Sequence, residues 1–164
     1  MIPHQLQNSQ FRFCKLKKKD KVPFEKDWTT SKNYKHDASE LLDWIKQGNN
    51  YGCIGGYGEL RILDIDDPKI AKTFDWLKTF KVKTGSGGLH LYFISEYSTN
   101  HVLSNGAGEL RAHNYQCVGA GCVHPNGNKY EIIDDSPILK LSKEDLKKLI
   151  DPHIRNESTN SSAS

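Results

Sequence analysis

The chain has 164 residues, of which 36% are apolar and 26% charged, and its formal net charge is +3. A domain of this length buries roughly 70% of its unfolded surface, so a substantial core forms without disulfides. No signal peptide and no apolar run of membrane-spanning length occurs, which excludes a membrane protein and predicts a cytoplasmic one.

The N-terminal part begins polar and becomes strongly basic. We expect a flexible N-terminus over residues 1–10, followed by a strand over residues 11–16, where apolar and polar side chains alternate. Next comes a basic loop that contains Lys17, Lys18 and Lys19. Two interpretations of these lysines stay open: a solvated loop, or a DNA-binding contact with phosphates.

A helix and a strand are predicted next. Asp37 with Glu40 three residues later resembles a capping box, and the helix that it would open ends at Gly48. Residues 51–55 form a short strand. A turn at residues 56–58 is predicted to join this strand to the following one as a hairpin.

The following strand, within residues 60–68, ends in acidic residues. Side chains alternate along a strand, so Asp64 and Asp66 point to the same side. Two close carboxylates repel each other unless a cation lies between them, and Mg²⁺ or Mn²⁺ prefers such oxygen ligands. The alternative is a solvated acidic turn, in which Asp67 caps the helix that Pro68 opens.

The remaining predicted elements are a helix, a series of strands and a final helix. The helix after Pro68 has an apolar face built from Ile70, Phe74, Leu77 and, near its edge, Trp76. Further strands are predicted at residues 81–83, 89–94, 108–112, 115–119 and 130–133. Ser142, with Asp145 three residues later, caps a final helix, and a disordered polar tail is expected over residues 151–164.

This order of elements predicts an α+β domain over residues 11–150. Its sheet is mostly antiparallel, and helices flank it. The glycine-rich stretch at residues 84–88 leads into a strand and not into a helix. That order excludes a P-loop and a dinucleotide-binding fingerprint, because both need a helix N-terminus at this point.

Chemistry-bearing residues cluster around the glycine-rich stretch. Successive N–H groups in residues 84–88 would form an anion-binding nest. His90 alternates with leucines and is expected on a polar, open face of the sheet. Glu109 and Arg111 share one face, where a structural ion pair between them is the alternative to a functional role. The whole set matches the needs of metal-assisted phosphoryl transfer.

The cysteines lack the close pairs of a zinc site. Cys117 and Cys122 lie near His113 and His124 in the sequence, and these four would offer an irregular metal site. We favour buried free thiols at all the cysteine positions, because free cysteine behaves as a small apolar residue.

Three segments together resemble the motifs of bifunctional primase-polymerase (prim-pol) domains of the archaeo-eukaryotic primase superfamily. They are Asp64-Ile65-Asp66, Thr84-Gly85-Ser86-Gly87-Gly88-Leu89-His90-Leu91-Tyr92-Phe93 and Glu109-Leu110-Arg111, in this order. The similarity spans about residues 20–133 and includes Pro23, Trp28, residues 50–52 and residues 123–130.

The resemblance implies an RRM-like sheet that carries a primase-polymerase catalytic core. It further implies a DNA primase and DNA polymerase of plasmid- or phage-type replication, which transfers nucleotides from NTPs or dNTPs under template direction. Such an enzyme uses two Mg²⁺ or Mn²⁺ ions. Its partners would be single-stranded DNA template, primer, nucleoside triphosphates and a helicase domain or subunit, with no membrane partner.

Carried over by position, the resemblance assigns the catalytic and metal-binding roles to Asp64, Asp66 and Glu109. The third acid of the family is commonly aspartate, and Glu109 is one methylene longer, which puts the metal geometry in question. Glu96, Asp134 and Asp135 are alternative candidates for the third acid, but their positions match the family motif less well. Nucleotide binding falls to Ser86, Gly87, Gly88, His90 and Arg111.

Two other functions compete with this interpretation. The first is a non-catalytic replication-initiator module that binds single-stranded DNA or a nucleotide. The second, a rolling-circle nicking domain, needs two histidines flanking an apolar residue, and the segment around His90 supplies one.

Overall fold

The computed structural model describes residues 1–154. Its helices are α1 (Ser39–Lys46), α2 (Pro68–Lys72) and α3 (Lys143–Ile150). Its strands are β1 (Phe13–Leu16), β2 (Asn50–Ile54), β3 (Leu60–Ile65), β4 (Lys81–Lys83), β5 (Leu89–Ile94), β6 (His101–Val102), β7 (Gly108–Arg111), β8 (Gln116–Val118), β9 (Glu131–Asp134) and β10 (Leu139–Lys140).

The strands form two sheets. A small sheet has the order β1-β2-β8, and a large sheet has the order β6-β7-β3-β5-β4-β9. All neighbours in these two orders pair antiparallel, and β10 adds a short parallel pairing to β5. The prediction of an α+β fold with a mostly antiparallel sheet is confirmed.

Local signals explain where two of the helices begin. The carboxylate of Asp67 accepts a hydrogen bond from the N–H of Lys69 (2.9 Å), with Pro68 at the first helical position. The hydroxyl of Ser142 accepts one from the N–H of Asp145 (3.1 Å) and caps α3. Both caps are as the sequence predicts.

The large sheet has a core on each face, because its side chains alternate. Ile62 and Tyr92 belong to the core between the two sheets. Leu63, Leu91 and Leu146 belong to the core between the large sheet and the helices α2 and α3. Strand β3 is buried along its whole length, so it is the central strand of the domain.

Two local predictions are wrong. Helix α1 has Ala38 at its N-cap without a side-chain hydrogen bond, so Asp37 and Glu40 form no capping box. The expected hairpin of β2 and β3 does not form, because these strands lie in different sheets. Both edges of β2 pair with other strands, and Gly56, at φ 116°, lies in the turn between β2 and β3.

The chain ends also differ from expectation. Ile2 and Leu6 are buried in the core between the sheets, so residues 1–10 pack on the domain where their polar composition predicted flexibility. Near the other end, Ile154 forms a β-bridge with Leu103. The predicted disorder of residues 155–164 lies outside the described residues. Among the described helices, none has the length and apolarity needed to cross a membrane.

Candidate active site

Three functional side chains lie in one row across the large sheet. The strand register places Asp64 opposite His90 on one side and opposite Glu109 on the other. Directly opposed residues point to the same face, which here is the face that the small sheet covers. The expectation that His90 lies on an open face is therefore wrong: its exposed fraction is 4%.

Asp64 lies between the side chains of His90 and Arg111. Its Oδ1 lies 3.3 Å from Nε2 of His90, and its Oδ2 lies 3.6 Å from Nη2 of Arg111. The first contact lacks the alignment of a hydrogen bond, so the buried Oδ1 has no hydrogen-bond partner among the described residues. Burying a carboxylate oxygen without a hydrogen-bond donor costs free energy on folding. Such an oxygen is therefore a candidate ligand for a cation.

The two aspartates have opposite pKa shifts. Burial raises the pKa of Asp64, but His90 and Arg111 outweigh burial, and the net pKa is below its ordinary value. Burial and the charge of Asp64 raise the pKa of Asp66, which is the more exposed of the two. The repulsion expected between the carboxylates therefore acts mainly on Asp66.

Arg111 connects three strands at the site. Its Nε donates to Oε2 of Glu109 (3.1 Å), its Nη1 donates to the carbonyl oxygen of Gln116, and its Nη2 approaches Asp64. Burial lowers the pKa of Arg111, but the carboxylates of Asp64 and Glu109 raise it above its ordinary value. The ion pair with Glu109 is thus present, and it lies within reach of the acidic strand.

The glycine-rich loop is closed by its own backbone. The N–H of Gly87 donates to the carbonyl of Thr84 (3.0 Å), and the N–H of Gly88 donates to the Thr84 hydroxyl (2.8 Å). Gly87 has φ 92°, which favours glycine at this position. The N–H of Thr84 also donates to the carbonyl of Gly88 (3.0 Å), so three of the amides expected in an anion nest are already bonded, and Ser86 is exposed at the tip of this loop.

A polar cavity of about 160 Å³ opens beside this row. Its walls come from the strands of the large sheet, the basic N-terminal loop, the small sheet and the segment before β9. The lining residues are Lys21, Asp64, Asp66, Thr84, Ser86, His90, Arg111, Gln116, Val118, His124 and Tyr130. The structure thus brings Asp64, Asp66, Ser86, His90 and Arg111 together, with Glu109 beside them and outside the lining.

The sequence interpretation missed several lining residues. Lys21 belongs to the basic run and Tyr130 to residues 123–130, which the family resemblance includes, so both carry a sequence signal. Gln116 carries no local signal and reaches the cavity as part of β8 in the small sheet. Asn126 and Asn128 both donate to the carbonyl of Gly85 (3.0 Å each), which ties the segment before β9 to the glycine-rich loop.

Other predicted residues lie elsewhere. Lys17, Lys18 and Lys19 are exposed in the loop after β1. Glu96 lines a separate cavity, and Asp134 and Asp135 line another, so these substitute acids do not reach the row of Asp64.

The cysteines are buried and free, as predicted. Cys117 lies near the site: its Sγ and one ligand atom each from Asp64 and His90 lie within 4.8 Å of one another. Burial raises the pKa of the Cys117 thiol well above its ordinary value, so this thiol stays protonated. Within residues 1–154, Cys122, His113 and His124 form no metal-ligand group with it.

The donor set suits a hard cation better than a soft one. Asp64 supplies a carboxylate oxygen that has no hydrogen-bond partner in the described part of the chain, Asp66 supplies a second carboxylate, and Glu109 supplies a third on the neighbouring strand. Oxygen ligands of this kind fit Mg²⁺ or Mn²⁺, whereas a protonated thiol is a poor ligand for either ion.

Comparison with known proteins identifies one family. The family described as bifunctional DNA primase/polymerase, N-terminal (Prim-Pol) matches residues 4–146. A search of curated proteins finds no match.

Proposed function

The chain belongs to the Prim-Pol family of bifunctional DNA primase/polymerase N-terminal domains, and from this membership we propose that it is a template-directed nucleotidyltransferase. Family membership supports a primase/polymerase-type function in replication. The finer proposal is a DNA primase and polymerase of plasmid- or phage-type replication. It would act on single-stranded template and primer with NTPs or dNTPs, beside a helicase domain or subunit.

One observation carries the proposal: a buried carboxylate oxygen of Asp64, for which residues 1–154 supply no hydrogen-bond partner, lies at a polar cavity that basic side chains flank. Asp64 and Asp66 would hold two divalent ions, with Glu109 as the third acid. When bound, these ions would neutralise charge on the reacting phosphate and leaving group. The high negative charge of a triphosphate fits the positive side chains of Arg111 and Lys21.

The remaining lining residues would bind and orient the nucleotide. Nδ1 of His90 is buried and has no hydrogen-bond partner among the described residues, so it is free to donate to a phosphate oxygen. Ser86 offers a hydroxyl, and Gly87 and Gly88 hold the loop that presents it. Arg111 would fix the Asp64 carboxylate as well as the triphosphate, because it reaches the former in the structure.

The test is incorporation of labelled nucleotide into a primed template, and into new primers on single-stranded DNA. NTPs and dNTPs are compared, each with Mg²⁺, with Mn²⁺ and with chelator. We expect metal-dependent incorporation by the native protein and a loss of about 10²–10³-fold in Asp64→Asn, the scale of removing one transition-state charge contact. Asp135→Asn is the matched control. Full activity in Asp64→Asn, or no incorporation by the native protein with either ion, contradicts the proposal.

A second candidate is a non-catalytic replication-initiator module. It is favoured by the contacts of Asp64, whose two oxygens already lie near His90 and Arg111 of the same chain, and by the Glu109–Arg111 ion pair. Such a module would bind single-stranded DNA or nucleotide without incorporation, so the same assay separates the two functions.

A further inference from the structure

An exposed aromatic pair lies next to the basic loop. The rings of Phe24 and Trp44 are stacked, with centroids 5.1 Å apart and planes inclined by 20°. Phe24 is 49% exposed, although aromatic side chains are usually buried when a core is available. One face of the Phe24 ring is therefore supported by Trp44, while half of the side chain remains open to solvent.

Lysines surround this pair. Nζ of Lys17 lies 5.3 Å from the centroid of Phe24, and Nζ of Lys15 lies 5.4 Å from the Trp44 ring. Residues 15–26 contain six lysines and two acidic residues. An exposed aromatic surface inside a strongly positive segment is complementary to nucleic acid, which offers flat bases and negative phosphates together.

The platform is held in place by the fold. Nε1 of Trp44 donates to the carbonyls of Leu16 (2.8 Å) and Asn50 (3.0 Å), which fixes the indole against the ends of β1 and β2. The N–H of Phe24 donates to the carbonyl of Lys15 (2.8 Å). The indole of Trp44 and the backbone that carries Phe24 are thus held in place before any ligand binds, which lowers the entropy cost of binding.

The loop also connects this surface to the candidate active site. Gln116 donates to the carbonyl of Lys21 (2.8 Å), and Lys21 lines the cavity beside Asp64. Phe24 is three positions after Lys21 in the chain, a span of at most about 11 Å. A single strand lying on Phe24 would therefore be within a few nucleotides of the cavity.

We propose that Phe24, stacked on Trp44 and flanked by Lys15 and Lys17, is a base-stacking platform for the single-stranded DNA template. The proposal deepens the proposed function, on which it rests, because it locates the path by which template would approach the site. Lys17, Lys18 and Lys19 bind the phosphates of the same strand, and Phe24 binds a base.

The test compares two oligonucleotides of equal length and charge, one of ordinary deoxythymidines and one in which the central nucleotides lack their bases. Binding is measured by fluorescence anisotropy at fixed salt. We expect the native chain to prefer the ordinary strand. Phe24→Ala should weaken binding to it by about 5- to 100-fold, the range for one base–aromatic stack, and leave the abasic strand nearly unaffected.

Two further variants separate stacking from other causes. Phe24→Leu keeps an apolar cover on Trp44 and should lose most of the preference for bases, whereas Phe24→Tyr should retain it. Trp76→Ala is the matched control. Trp76 is 72% exposed and lies after α2, in the layer on the other face of the large sheet.

Each outcome decides the proposal. A loss in Phe24→Ala confined to the strand with bases supports it. An equal loss for both strands, no loss, or the same loss in Trp76→Ala overturns it. The failure of the proposed function is visible separately, because Asp64→Asn should lower incorporation by about 10²–10³-fold while its strand binding and base preference stay near those of the native chain.

Discussion

The space between the two sheets is an apolar core at one end and a polar cavity at the other, although adjacent positions of the same strands build both ends. At the apolar end, Ile62 lies opposite Tyr92, and both side chains are completely buried. Two residues further along the same strands, Asp64 lies opposite His90. The side chains of both pairs point to the same face and are covered by the same small sheet, so the two pairs differ only in residue type.

The apolar row and the polar row therefore contribute differently to stability and to function. The apolar row gains mainly from burial, and its one polar side-chain atom, the Tyr92 hydroxyl, is satisfied because it donates to Sγ of Cys53 (3.6 Å). The polar row contains buried atoms of Asp64 and His90 without hydrogen-bond partners among the described residues. Burying such atoms costs free energy on folding, and proteins retain them where a bound ligand supplies the missing interaction. Substitutions in the two rows should therefore affect different measurements.

The largest effect is expected from Ile62→Ala. It leaves a cavity between the sheets and should lower the free energy of unfolding by about 2–5 kcal/mol. Unfolding in urea, followed by circular dichroism, measures this change. Ile133→Ala, at an exposed strand position, is the control and should change stability by less than about 0.5 kcal/mol. Equal stability of both variants would remove the distinction between the apolar row and the surface.

His90→Ala tests whether the polar row binds nucleotide. Loss of a charge-assisted hydrogen bond should weaken binding of a nonhydrolysable nucleotide by about 10- to 100-fold, equivalent to roughly 1.5–3 kcal/mol. Mn²⁺ binding by the nucleotide-free protein should hardly change, because the carboxylates supply its ligands. Isothermal titration measures both, with the exposed His113→Ala as control. Loss of Mn²⁺ binding with normal nucleotide binding would reverse the assigned roles.

Asp64→Asn tests the ionic contacts of the same row in metal-free protein. The pKa of Asp64 is lowered in the fold, so its charged form stabilises the native state above pH 3.8, and this stabilisation is lost as pH falls through the lowered pKa. At pH 7 the variant should lose about 1–3 kcal/mol of stability, with His90 and Arg111 left without their anion. A variant as stable as the native protein would show that these contacts contribute nothing.

Asp66→Asn should have the smallest effect and the opposite sign. The pKa of Asp66 is raised, so between its ordinary value of 3.8 and the raised value the native state binds more protons than the unfolded state. The stability of the native protein therefore decreases as pH rises through this window, whereas the stability of the variant does not show this decrease. The free energy of unfolding of Asp66→Asn should equal that of the native protein below pH 3.8. Above the window it should be higher by less than about 1 kcal/mol, because solvent screens this group.

Urea unfolding in the presence of chelator, repeated from pH 3.5 to 7.5, gives this profile. Asp67→Asn, at the cap of α2, provides a neighbouring acid for comparison. An advantage that is independent of pH, or one that appears only in acid, would show that Asp66 is not repelled by Asp64.

Much of the architecture was predictable from local pattern. The alternation around Asp64, His90 and Arg111 correctly gives three strands whose functional side chains share a face, and the cap at Ser142 correctly gives the start of α3. These features depend on residues that are neighbours in the chain. The expected hairpin of β2 and β3 failed because strand pairing depends on which distant edges are free, and β1 and β8 occupy both edges of β2.

The sequence by itself determined the strand that carries Asp64 and is followed directly by Asp66, the alternation of side chains along the strands, and the family resemblance of the motifs. Only the tertiary structure decided that the small sheet covers this face, burying His90 and bringing Gln116 and Lys21 to the cavity. It also decided that Arg111 reaches Asp64 as well as Glu109. The physical reason is that side-chain alternation is a property of each strand, whereas burial and charge pairing depend on segments far apart in the chain.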